Sequence, residues 1–156
     1  MNVVTRYIDA RYNADYNNIR KKVEIQKELF DKSFIDKEST YTMFDNDIDM
    51  FVNNQLIVKI TDKNIYKKEK VNGNVEIGIQ FSYDIVSELE GYPSYKRNAD
   101  WIITLTKVKW NKYLIKEITV NKNEIVPINI AGDNEGGHEH NHIYEDKQIN
   151  EVEHLD

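Results

Sequence analysis

The chain has 156 residues, 21 basic and 27 acidic side chains, a net charge of −6 and no cysteine. That length suits one domain burying roughly two-thirds of its unfolded surface, and the missing cysteine excludes disulfide scaffolds, thiolate zinc sites and cysteine nucleophiles. No apolar run approaches the ~20 residues that cross a bilayer, and Met1-Asn2-Val3-Val4-Thr5-Arg6 does not read as a signal peptide.

Residues 3–28 read as one amphipathic helix. Val4, Ile8, Tyr12, Ile19 and Val23 recur at spacings of three and four, with Arg6, Arg20 and Lys27 elsewhere. Asp15 interrupts this stripe from the inward-facing side. Leu29, Phe30, Phe34 and Ile35 suggest a second, shorter helical stretch within 29–44. Asp45-Asn46-Asp47 supplies N-cap chemistry before one or two further turns through Ile48, Met50, Phe51 and Val52.

After Asn53-Asn54 the period switches to two. Leu56, Val58 and Ile60 open a strand running toward Tyr66, and Asn72-Gly73 is the sequence of a type I′ hairpin turn. The returning strand places Val75, Ile77, Ile79, Phe81, Tyr83 and Ile85 on one face, with Glu76, Gln80, Ser82 and Asp84 on the other. A loop at 90–94 precedes a strand from about Arg97 to Lys109, with Trp101, Ile103 and Leu105 on one face. A turn near Trp110-Asn111-Lys112 leads into a last strand from Tyr113. Long strands of this kind twist and curl, and one alternating face needs a cover that the N-terminal helix can supply. The expected class is α+β, an N-terminal helix packed against a curled antiparallel sheet.

From Pro127 the composition shifts. Eight acids face one base, Lys147, so residues 127–156 carry −7 and residues 1–126 carry +1. The expected division is a domain over 1–126 and a disordered acidic tail over 127–156. A near-neutral body lacks the basic stripe that nucleic acid requires, so no nucleic-acid partner is expected. All four histidines, His138, His140, His142 and His154, lie in the tail. The body therefore cannot host a Ser–His pair or an ordinary zinc site, and any chemistry in it falls to Asp, Glu, Tyr or Lys. No cofactor is expected.

The segment Val4–Tyr16, together with Ala99–Leu105 and Tyr113–Ile118, resembles the first helix and closing hairpin of the nuclear transport factor 2-like (cystatin-like) superfamily. The resemblance covers roughly residues 3–122. It implies a cone, in which a curved sheet wraps around the helix and leaves a pocket at the wide end. Some members are isomerases or dehydratases. Others are binding or accessory domains of bacterial conjugation and cell-wall proteins, which the Lys-, Asn-, Ile- and Tyr-rich composition suits. Such domains dimerise through the sheet, so a protein partner or a homodimer is expected, with a small-molecule ligand as a further option. An extracytoplasmic placement of that kind needs an anchor or leader that these residues do not supply; without one the expectation is cytoplasmic.

Three sites follow. Asp15, inside an apolar cone, would have a raised pKa and move a proton with Tyr12 or Tyr83 as donor; the plainer reading has it capping, pairing with Arg11 or Lys22, or bonded by a sheet tyrosine. Tyr12, Asp15, Phe81, Tyr83 and Trp101, with Tyr113, would line a ligand pocket, or else pack the core. His138, His140 and His142 alternate so that an extended chain presents them on one side, a weak site for nickel, copper or zinc. The leading expectation is a non-enzymatic binding or scaffolding module; an enzyme using Asp15 and a metal-binding tail are the alternatives.

Overall fold

The computed structural model describes residues 2–127. The expected acidic tail and its histidine site lie outside the described residues. Four helices come first, α1 (Asn2–Tyr12), α2 (Ile19–Glu28), α3 (Lys32–Ile35) and α4 (Glu38–Asn53), with a two-residue strand β1 (Ala14–Asp15) between the first two. Four long strands follow, β2 (Leu56–Val71), β3 (Asn74–Ser87), β4 (Tyr95–Lys109) and β5 (Lys112–Pro127). All neighbours in the sheet are antiparallel, in the order β1-β2-β3-β4-β5. The α+β class, the antiparallel sheet and the helical cover are those expected.

The single helix over 3–28 is not what forms. Asn13, Asp15, Asn17 and Asn18 cluster where the helix would continue, and such side chains offer the backbone competing hydrogen bonds. Asn13 Oδ1 accepts from the Ile60 N–H at 2.8 Å, while Ala14 and Asp15 pair with Val58 and Ile57. Ile19 and Val23 are buried all the same, on a second helix that packs beside the first.

The expected cap at Asp45-Asn46-Asp47 lies inside α4, which starts after Lys37. Thr40, Met43, Phe44, Asp47 and Phe51 form its buried face at spacings of three and four. Asp47 does not break the helix because a partner on α1 meets its carboxylate.

The hairpin at Asn72-Gly73 has φ values of 52° and 83°, the positive pair that a type I′ turn demands. Val75, Ile77, Ile79, Phe81, Tyr83 and Ile85 are all buried, as are Trp101, Ile103 and Leu105 across the ladder. Bulges then curl the sheet. Register slips between Ile60 and Asp62 and between Ile65 and Lys67 on β2, and again at Asp100/Trp101 and Thr104/Leu105 in the β4–β5 pair. Each extra residue bends the strand and adds twist, which closes a flat ladder toward a cone.

One bulge is locked by a cross-strand aromatic. Tyr66 is the extra residue opposite Gly78, and a Cβ at position 78 would lie 2.7 Å from its Cζ. The Tyr66 hydroxyl donates to Asp100 Oδ1 at 2.6 Å, two strands away. That hydrogen bond, with burial second, lifts the Tyr66 pKa above the ordinary phenol value.

The outer edge of β5 is partly covered. Asp31 N–H donates to the Ile115 carbonyl at 2.7 Å, and Ile115 N–H donates to the Leu29 carbonyl at 2.8 Å. The α2–α3 connection thereby occupies groups that would otherwise template another strand. Ile8, Ile19, Phe81 and Trp101 belong to one hydrophobic cluster, so the helices do sit in the hollow of the sheet.

Candidate functional site

The end of the sheet where β2 begins, β3 ends and β4 begins holds a recess of about 170 Å³. Met50, Phe51, Leu56, Val58 and Ile85 give it apolar walls, and Tyr12, Tyr83, Tyr92 and Tyr95 add phenol rings. Three charged groups complete the lining: Arg11, Asp47 and Arg97.

Arg11 reaches this position because it falls three residues after Ile8 and four after Tyr7, on the inner face of α1. It is 4% exposed. Its Nε donates to Asp47 Oδ2 at 3.1 Å and its Nη1 donates to Tyr7 Oη at 2.9 Å. The guanidinium also lies 5.3 Å from the Tyr12 ring centre and 5.5 Å from that of Trp101, both within cation–π range. A buried cation is costly unless paired, and this one is paired on every side.

Arg97 is placed by strand parity. It shares the inward face of β4 with Ala99, Trp101, Ile103 and Leu105, and it is 5% exposed. Burial disfavours its charged form, but the phenol oxygens of Tyr83, Tyr95 and Tyr12, with a hydrogen bond to Tyr83, raise its pKa above the ordinary arginine value. Its Nε–H has no acceptor among the described residues. The wall of the recess thus holds a fixed positive charge.

The expected site residues divide between recess and core. Tyr12 and Tyr83 stack at 4.2 Å and line the recess. Phe81 and Trp101 lie behind them, edge to face at 5.1 Å, as core. Tyr113 is half-buried at the opposite end, paired with Lys107. Asp15 is not among the residues lining the recess. Its Oδ1 accepts from the backbone N–H groups of Asn17 at 2.8 Å and Asn18 at 3.0 Å, holding the turn between α1 and α2. Arg11 pairs with Asp47, not with Asp15.

Arg11, Asp47 and Arg97 were not foreseen as site residues. The signal was present: each stands at an inward position of an otherwise apolar pattern, where a charge needs a reason.

No family model matches the sequence, and no curated protein matches it. Solved structures do. The periplasmic domain of DotI aligns over 81% of this chain and 92% of its own length, with a TM-score of 0.50 and 14% identity. CagV, a VirB8 homolog of the type IV secretion system from Helicobacter pylori strain 26695, aligns over 79% of this chain and 92% of its own, with a TM-score of 0.51 and 18% identity. The chain has the nuclear transport factor 2-like fold, in a version similar to the periplasmic domain of DotI and to CagV.

Proposed function

We propose that this chain is a non-enzymatic binding and scaffolding module of a bacterial cell-surface, secretion or conjugation machine, acting through protein contacts that include a second copy of itself. The observation that carries this reading is the extent of overlap. The alignments span 92% of the DotI domain and 92% of CagV. The chemistry of the recess supports the same reading. Its one carboxylate among the described lining residues, Asp47, is held by Arg11, and Asp15 is spent on backbone amides. A general base must lie beside the substrate whose proton it takes; Asp15 does not line the recess, and Asp47 there is ion-paired with Arg11.

The test is genetic. Deleting the gene in the bacterium that encodes it should abolish transfer or secretion by the associated machine, and Asp15→Asn should restore it to within about twofold of the original. Asparagine keeps the Oδ1 acceptor that the turn uses, so the variant removes only the acid. A folded Asp15→Asn protein that fails to restore transfer overturns the reading in favour of an enzyme.

A ligand-binding reading of the recess rests on Arg97. Its volume is close to the ~150 Å³ that admits benzene in an engineered cavity, and the Arg97 guanidinium in its lining suits a carboxylate. Benzoate should therefore bind about tenfold more tightly than benzamide, seen as amide shift changes around Tyr83 and Arg97. Equal binding of the two probes removes this reading.

A further inference from the structure

The end of the sheet opposite the recess carries both hairpin turns, at Asn72-Gly73 and at Trp110-Asn111, because Val75 pairs with Leu105 and the strands diverge into turns beyond that row. The β4–β5 hairpin projects as Lys107-Val108-Lys109-Trp110-Asn111-Lys112, every residue exposed. Trp110 is 84% exposed and Val108 42%, while Trp101, on the strand leading into this tip, is completely buried. Three lysines surround the indole and no acid falls between them. On the neighbouring hairpin Lys68 and Lys70 are also exposed, whereas Lys67 is tied to Glu69 and Glu76. The two tips together, residues 67–76 and 107–112, carry +4 against +1 for residues 1–126 as a whole, so this end is positive on a body that is otherwise acidic.

We propose that the β4–β5 hairpin is a membrane-surface contact that seats Trp110 in the interface of an anionic bilayer, with Lys107, Lys109 and Lys112 on its phosphates. An exposed indole gains by entering the headgroup region, where its ring is sheltered and its N–H stays hydrogen-bonded. Lysines flanking it stand at headgroup height and each draws the tip toward a negative surface. A protein partner is the poorer fit. A stable interface covers about 800 Å² on each side around a central anchor, and a convex six-residue tip offers no such area. A planar anionic surface asks for none. This contact would set the recess end facing away from the bilayer, toward the partners of the module.

The test uses the full 156-residue chain and sedimentation with two kinds of vesicle. Vesicles of phosphatidylcholine with about 30% phosphatidylglycerol should carry the protein down at 50 mM salt, and pure phosphatidylcholine should not. Raising the salt to about 300 mM should release it. Trp110→Ala should weaken partition about tenfold, and each of Lys107→Glu, Lys109→Glu and Lys112→Glu about fivefold or more. All four positions are exposed, so the variants keep their thermal midpoints, which serves as the folding control. Trp110 emission should shift to the blue with anionic vesicles in a Trp101→Phe background. Equal sedimentation with both vesicle types, no sedimentation with the anionic ones, or an unaffected Trp110→Ala overturns the proposal. So does loss of self-association in the tip variants without any vesicle binding, which would assign the hairpin to a protein contact.

Discussion

Asp47→Ala should remove about 3–5 kcal/mol of stability, because it strands the Arg11 guanidinium in a site that is almost wholly closed to water. Against a net stability of about 5–15 kcal/mol for a domain of this kind, that is about a fifth or more of the total. The Tyr7 hydroxyl and the Tyr12 and Trp101 rings remain to hold the cation, which puts the loss toward the lower end of the range. The pair itself is a different matter. Its Coulomb attraction mostly offsets the cost of drying both partners, so replacing both with apolar groups of similar volume should recover most of the deficit. Urea unfolding of Asp47→Ala, Arg11→Met and the double variant Arg11→Met/Asp47→Leu measures this directly. The expected pattern is a large loss in Asp47→Ala and a double variant well above it. A loss below about 1 kcal/mol in Asp47→Ala would mean that the recess is wet enough to solvate a lone arginine. Being buried, the pair should also be insensitive to salt, unlike exposed pairs such as Lys27–Glu24.

What the sequence made visible, and what it hid, follows from the range of the interactions. The β3 alternation from Val75 to Ile85 and the Asn72-Gly73 turn are local signals with local causes, and both are present as expected. The break after Tyr12 is different. Ile19 and Val23 keep the helical spacing of Ile8 and Tyr12, so the periodicity ran on across a gap that only the side chain of Asn13, bonded to Ile60 47 residues later, makes plain. The start of α4 was hidden for the opposite reason. Asp45-Asn46-Asp47 resembles a cap when read alone, and only Arg11, 36 residues earlier in the chain, explains why Asp47 prefers a helix interior. The recess shares that logic. Tyr12 and Tyr83 stand out as aromatics on inward faces, whereas nothing near Arg11 or Arg97 in the sequence marks the partners that bury them. Asp15 lies past the end of α1, so its place between two apolar helical positions does not aim it into the cone.

Trp101→Ala should lower the thermal midpoint by roughly 10–20 °C, with a loss of about 3–5 kcal/mol. Trp101 is fully buried where helix and sheet meet. Its ring lies 5.1 Å from Phe81 and 5.8 Å from Tyr12, both edge to face, and beneath the Arg11 guanidinium. Truncation would leave a cavity that the bulged β4–β5 ladder cannot collapse into without shifting its register. Trp101→Phe separates packing from polarity. The indole N–H has no acceptor among the described residues, so phenylalanine gives up ring area without breaking a hydrogen bond and should cost less than about 1.5 kcal/mol. The two substitutions also report on the recess from behind. Tyr12 is clamped between Trp101 on one side and Tyr83, 4.2 Å away, on the other. With Trp101 truncated, Tyr12 and Arg11 lose the surface they rest on, and benzoate binding should weaken at temperatures where the protein is still folded. With phenylalanine in place the clamp persists and binding should be retained. Equal stability of Trp101→Ala and Trp101→Phe would show that this ring does not hold the sheet to α1, and the packing scheme of the cone would have to be redrawn.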